Sequence, residues 1–477
     1  MNTISIFKKN AIFIFLSVFL LSGLFVSLHQ TNVHAVTTSS DNAVAQPAAN
    51  KIVTLTDLGD QPWLQDLCEH YTGKKVGSTL TFADLASITS LEPYKGYKYA
   101  YGYEQGYNNV IPSEIKYFTN LETFRISAHT LGINSMSFKG AIPTEIGQLK
   151  KLKALELAYY QSPGSIPESI GNMTNLETLD LSGCGLTGPI PNSIGKLENL
   201  RILNLNTNEL SGSIPTTIGN LVNLKELYLS GKATTDAPPG FVGQIPTSIG
   251  KLGNLEILEI RNHSLTGSIP ANIGNLNKLK DLDLSFNQLT GSIPAKLGNL
   301  ENLQSLYLTG NQLSGSIPSG LSKLSSLTKL YLAQNQLSGP IPPSLGNLSN
   351  LVDLNLFFNQ LTGTIPSNLS KLSNLKYLAL SFNELTGEIP PKITTLSNLK
   401  ELIIGGNNLT GSIPRSIDNL TNLECLTVNQ NQLTGKIPTE IANLTKLNTL
   451  FLYQNNFTGD IPNAIYNMPS LSNLIYY

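Results

Sequence analysis

One pattern constrains this chain more than any other: a unit of 24 residues that recurs, with few changes, through most of its length. Residues 279–302 read LKDLDLSFNQLTGSIPAKLGNLEN, and the general form is LxxLxLxxNxLxGxIPxxIGxLxN. Self-similarity at such a period means stacked units, none of which can bury its apolar residues alone. The spacing gives each position a task. Leu282 and Leu284 lie two apart, so an extended segment puts them on one face, which must be the core. Asp281, Asp283 and Ser285 then alternate to the opposite side. Asn287 falls where the chain leaves the strand. A buried amide there satisfies backbone groups left open by the turn, and stacked copies form a ladder. Gly291 permits a tight turn, and Pro294 fixes a bend without offering an N–H. Leu289, Ile293, Leu297 and Leu300 close the coil from inside.

Leading leucines fall at 121, 152, 176, 200, 224, 255, 279, 303, 327, 351, 375, 399, 423, 447 and 471, giving fourteen complete repeats and one truncated strand. Twelve repeats are 24 long; those starting at Leu121 and Leu224 are 31 long. Their extra residues, around 129–137 and 232–240, read as loops bulging from one edge of the stack. The ladder position is held by Asn208, Asn287, Asn311, Asn335, Asn359, Asn383, Asn407, Asn431 and Asn455, and in one copy by Cys184.

These units resemble the leucine-rich repeat. The LxGxIP segment is similar to the plant-type subclass found in plant receptor ectodomains and cell-wall enzyme inhibitors, and the resemblance covers residues 121–474. It implies an α/β-type solenoid: a right-handed curved coil with a concave parallel β-sheet, short 3-10 or irregular convex segments and a small helical N-terminal cap.

Residues 1–35 read as a secretory signal: Lys8 and Lys9, then an apolar run, then small residues ending at Ala35. An uncleaved anchor is the alternative; after cleavage no transmembrane segment is expected. Residues 36–50 read as a flexible linker. Residues 51–93 have helical spacing and read as a cap. Trp63, Leu64, Leu67, Cys68 and Tyr71 follow Pro62, and Thr81 with Asp84 suggests a capping box before Phe82, Leu85 and Ile88. The stretch STLTFADLASITSLE at 78–92 resembles the helical cap of bacterial internalin-type surface proteins, which favours a bacterial over a plant source. Residues 94–120 hold a tyrosine-rich stretch (94–107) and a degenerate first repeat. The tyrosines read first as cover for the edge of the array and second as a ledge for glycans or protein. The last residues, Leu474 to Tyr477, stop in mid-strand, which suggests a shortened form of a longer product.

Composition narrows the function. The net charge is −1 and charged residues make up 13%, so nothing tracks a phosphate backbone and no nucleic acid is expected. Three cysteines are present; Cys184 and Cys425 lie ten repeats apart, about 50 Å at ~4.8 Å per strand, beyond disulfide reach. Cys184 reads as a buried thiol and Cys425 as an exposed one. Catalytic spacings such as HExxH and paired-cysteine metal motifs do not occur, so neither an enzyme, a metal nor a cofactor is expected. A GxGxxG match at 183–188 falls inside a repeat turn and is discarded. Asn-x-Ser/Thr sequons include Asn172, Asn262, Asn347, Asn368, Asn408, Asn419, Asn443 and Asn456; those at the ladder are expected to be too buried for modification.

The concave face is where function is expected. Its candidate binding residues are Tyr228, Asp281, Asp283, Tyr307, Tyr331, Asp353, Phe357, Phe358 and Tyr377. Aromatic anchors among polar groups are what protein-binding surfaces use. Phe286 and Phe382, beside the ladder, read as structural. The expected function is a secreted or cell-surface, non-catalytic protein-binding module, with adhesion or host interaction as its role. The alternatives are a plant-type receptor ectodomain or cell-wall enzyme inhibitor, and a glycan-binding wall protein.

Overall fold

A computed structural model describes residues 46–93, 109–126, 139–232 and 240–476. The signal segment, most of the linker, the tyrosine-rich stretch and the bulk of both insertions lie outside the described residues.

The repeat period becomes a sheet of 16 parallel strands, each paired only with its sequence neighbours in the array. Register follows the period: Asp281 faces Ser305, Leu282 faces Leu306 and Asp283 faces Tyr307. Across the longer repeat it jumps by its full length, so Glu226 faces Ile257 and Tyr228 faces Glu259. The strands are short, commonly three residues, with the middle leucine fully buried. A three-residue strand cannot stand alone; rungs above and below complete its hydrogen bonds. The resulting core is one continuous column of Leu and Ile from Leu58 in the cap to Ile465.

After each turn comes the Ile-Pro step. Pro294, with φ −63°, leads into a 3-10 turn at Ala295–Asn299 that buries Leu297, and comparable turns recur along the array. The segment between them is more ordered than expected. The convex irregular stretch holds a second set of short parallel strands, Thr290–Gly291, Gln312–Gly315, Gln336–Pro340 and Gln360–Thr362, in a four-stranded sheet. The reason is that stacking leaves each rung's N–H and C=O facing the next. Gln312 N–H donates to Leu289 O at 2.8 Å.

The first end is covered by two helices, α1 (Pro62–Thr72) and α2 (Phe82–Ser87). Pro62 opens α1, which buries Trp63, Leu64, Leu67 and Cys68. In α2 Thr81 and Asp84 form a reciprocal capping box: Thr81 N–H donates to Asp84 Oδ2 at 2.9 Å and Asp84 N–H to Thr81 Oγ1 at 3.4 Å. Ile88 lies past the end of α2 with extended backbone, yet stays buried. The next residues, Ser90–Leu91, are the first strand of the large sheet and pair with Thr123 and Phe124. Trp63 Nε1 donates to Val110 O at 3.1 Å, and Asn120 Nδ2 to Ala86 O at 2.6 Å, tying cap to array. Among the described residues no helix is long and apolar enough to cross a membrane.

Candidate ligand-binding face

The asparagine ladder fixes the turn that aims the concave side chains. Asn311 Oδ1 accepts from Leu289 N–H at 3.1 Å, while Nδ2 donates to Leu284 O at 3.0 Å and Leu308 O at 3.1 Å. Asn208, Asn287, Asn335, Asn359, Asn383, Asn407, Asn431 and Asn455 repeat the pattern. Three other residues stand at the same position. Cys184 Sγ donates to Leu157 O at 3.0 Å. Tyr160 OH donates to Lys139 O at 3.2 Å and accepts from Ile111 N–H at 3.1 Å. His263 Nδ1 accepts from Phe241 N–H at 3.1 Å, while Nε2 meets Leu229 O. Register gives the Tyr160 and His263 positions, since both stand eight residues after a leading leucine, but the change of side-chain type hid their role.

A second ladder runs along the exposed edge just before the leading leucines. Asn302 Nδ2 donates to Asn277 O at 2.7 Å, and Asn350, Asn374 and Asn398 make the equivalent bonds at 2.8–2.9 Å. The consensus contained this asparagine, but period alone assigned it no partner.

On the concave face, the in-register Tyr307 and Tyr331 rings sit 5.1 Å apart. Tyr331 OH donates to Asp353 Oδ2 at 3.3 Å, so that phenol is pushed up by burial and by the Asp353 charge. Tyr377 stands opposite Asp353 on the following strand and is pushed up to about 12, by burial first and then by Glu401. Phe357 meets Phe382 edge-on at 5.4 Å and Phe358 at 6.1 Å, making a three-ring cluster beside the tyrosines. Nearer the N-terminus, Tyr228 OH donates to Glu226 Oε2 at 3.0 Å. Asp283 pairs with Arg261 at 3.7 Å, and Asp281 lies half-buried on the same strand. The structure therefore brings Tyr307, Tyr331, Asp353 and Tyr377 into one run, sets Phe357 and Phe358 beside it, and leaves Tyr228, Asp281 and Asp283 as a separate acidic stretch.

Several expectations change. Ser285 does not face out: it is 5% exposed, and its N–H turns back to Asp283 Oδ1 at 2.9 Å. Cys425 is half-buried, and its thiol is pushed up to about 12 by burial and Glu401, so it is not an exposed reactive thiol. Sequon residues Asn408 and Asn456 directly follow ladder asparagines and are exposed, so burial does not protect them. Phe286, at φ +54°, is 43% exposed while its ring packs against Gly310 of the next rung; a Cβ there would meet Phe286 Cδ1 at 2.7 Å. Phe382 packs likewise over Gly406. Among the described residues no group of three or more His, Cys, Asp or Glu is placed to hold a metal.

A family profile described as leucine-rich repeat region matches residues 107–243, 240–360, 271–385 and 359–476. No curated protein sequence matches the chain. Among solved structures, the chain is similar to the plant peptide hormone receptor RGFR1 in complex with RGF2 (36% identity, TM-score 0.74), covering 83% of this chain and 60% of the receptor chain. It is also similar to a TDR receptor (30% identity, TM-score 0.69; 82% and 68% covered). A Leptospira interrogans leucine-rich repeat protein is 32% identical with TM-score 0.61, covering 83% of this chain and 92% of that one.

Proposed function

Since the chain belongs to the leucine-rich repeat proteins, we propose that it is a non-catalytic recognition module, acting outside the cell, that binds a polypeptide ligand along its concave sheet. The observation carrying this is the aromatic tract on the outward positions, from the Tyr307–Tyr331 pair to the Phe357, Phe358 and Phe382 rings. Rigid rings in register offer large contact area at little cost in side-chain entropy. The likeness to a peptide hormone receptor supports a peptide or protein ligand over a glycan. That likeness spans 60% of the receptor chain. Adhesion or host interaction is the role we assign to a bacterial form, and peptide perception the role of a plant receptor-type form.

The test is capture from cell-surface extracts by the full chain, set against a Tyr307→Ala, Tyr331→Ala, Phe357→Ala variant with an unchanged melting midpoint. A polypeptide retained by the parent and lost by the variant supports the reading. Retention by both proteins moves the site off the concave tract. Release of the captured material by glycosidase rather than protease replaces the polypeptide with a glycan.

A further inference from the structure

The concave face and the edge of the solenoid treat charge differently. Along the edge, acids and bases on adjacent rungs pair: Lys280 with Glu256 at 2.7 Å, Lys400 with Glu424 at 2.7 Å, Arg201 with Glu177 at 3.2 Å. On the two outward strand columns between Glu226 and Glu401 the pattern is one-sided. Glu226, Glu259, Asp281, Asp283, Asp353 and Glu401 occupy it, with Lys329 the sole base of those columns. Among the described residues, Arg261 with Asp283 at 3.7 Å is the one ion pair these six acids make. The register sets Glu259 directly opposite Asp283 on adjacent strands. Like charges at that spacing oppose folding. The Glu259 carboxyl is pushed up by burial and by its neighbours Asp283 and Asp281, and Glu401 by burial, Glu424 and Asp353.

One hydroxyl adds an independent sign of a missing partner. Thr427 is 3% exposed, stands at the outward strand position that Asp283 holds in its own repeat, and its side-chain oxygen has no hydrogen-bond partner. It faces Ile403 one rung beyond Glu401. A buried hydroxyl left open is costly unless a ligand completes it.

Resting on the concave-face reading above, we infer that the ligand is a cationic, extended peptide segment that also carries an aromatic or long aliphatic side chain. Its Lys or Arg residues lie over the acids at Glu226–Asp283 and at Asp353–Glu401. Its apolar side chain seats against the Phe357, Phe358 and Phe382 rings, and its backbone meets the open Thr427 hydroxyl. The strand beginning at Glu226 and the one beginning at Glu401 are seven steps apart in the sheet. At ~4.8 Å per step that is about 34 Å, which an extended peptide at ~3.3 Å per residue covers with about ten residues.

The experiment pans a random dodecapeptide phage library on the immobilised full chain, then measures synthetic copies of the recovered peptides by calorimetry. The expected peptides are enriched in Lys and Arg with at least one aromatic. Their affinity falls roughly tenfold or more in a Glu259→Gln, Asp281→Asn, Asp283→Asn variant and weakens with added salt. Neutral or acidic peptides overturn the inference, as does an absence of peptides above background. Peptides indifferent to the acid substitutions but lost on Tyr307→Ala, Tyr331→Ala, Phe357→Ala also overturn it while leaving the concave reading standing. Peptides indifferent to both sets overturn both.

Discussion

A single side chain per rung decides how the turn closes. Asn311 satisfies one N–H and two carbonyls on two adjacent rungs, so Asn311→Ala is expected to lower stability by about 1–3 kcal/mol. A chemical melt checks this; an unchanged midpoint would refute the ladder. His263 performs the same task with a titratable ring. Burial lowers its pKa below 6.5, so the folded state prefers the neutral ring whose Nδ1 accepts from Phe241. The unfolded chain then binds the proton more readily. Stability from this rung is complete above about pH 6.5 and declines as pH falls through that value toward the lowered folded pKa. His263→Asn, which restores the common ladder residue, is expected to remove that share of the acid sensitivity. Melting midpoints of both proteins at pH 7.5 and 5 measure it, and parallel curves would show that His263 does not contribute. At this scale the sequence was readable wherever the repeat was regular. It was opaque where the side chain changed type but kept the place, as with Tyr160 and His263, because a backbone demand for one donor and one acceptor can be met by unlike groups.

Among the elements, the cap is held by local signals. The Thr81–Asp84 box closes the N-terminus of α2, which buries Phe82 and Leu85 beside the first rung. Thr81→Ala is expected to cost about 1 kcal/mol, and Thr81→Ser to be close to neutral. Limited proteolysis with sites mapped to residues 78–92 should show faster cutting of the alanine variant alone. Equal rates in all three proteins would mean that the box adds nothing. The capping box, the Pro62 helix start and the Leu-x-Leu strands were legible because each is set by residues within one turn or one rung. The second set of parallel strands was not, because its pairing depends on the position of the next rung rather than on the residues of its own. The Phe286–Gly310 contact has the same character: the ring's seat lies 24 residues away.

At the scale of the whole molecule, stability is a sum over neighbouring rungs. In-frame removal of residues 303–326, one full period, lets Asp281–Asp283 pair with Lys329–Tyr331 and gives Leu289 the amide of Asn335. That variant is expected to fold cooperatively with the strand signal kept in circular dichroism. Removal of residues 303–314 alone takes out a strand and its ladder asparagine while keeping the 3-10 turn, and is expected to split the array into two transitions. Identical melts for both deletions would contradict nearest-neighbour stacking. The sequence by itself determined the solenoid, its parallel sheet, its inward leucines and its asparagine ladder, because a repeated local pattern has one way to bury its apolar face. Only the tertiary structure decided what the outer faces carry. Side chains 24 or 31 residues apart become neighbours there, so the Tyr307–Tyr331 pair, the three-ring cluster and the acids opposite one another exist only once the rungs are stacked in register.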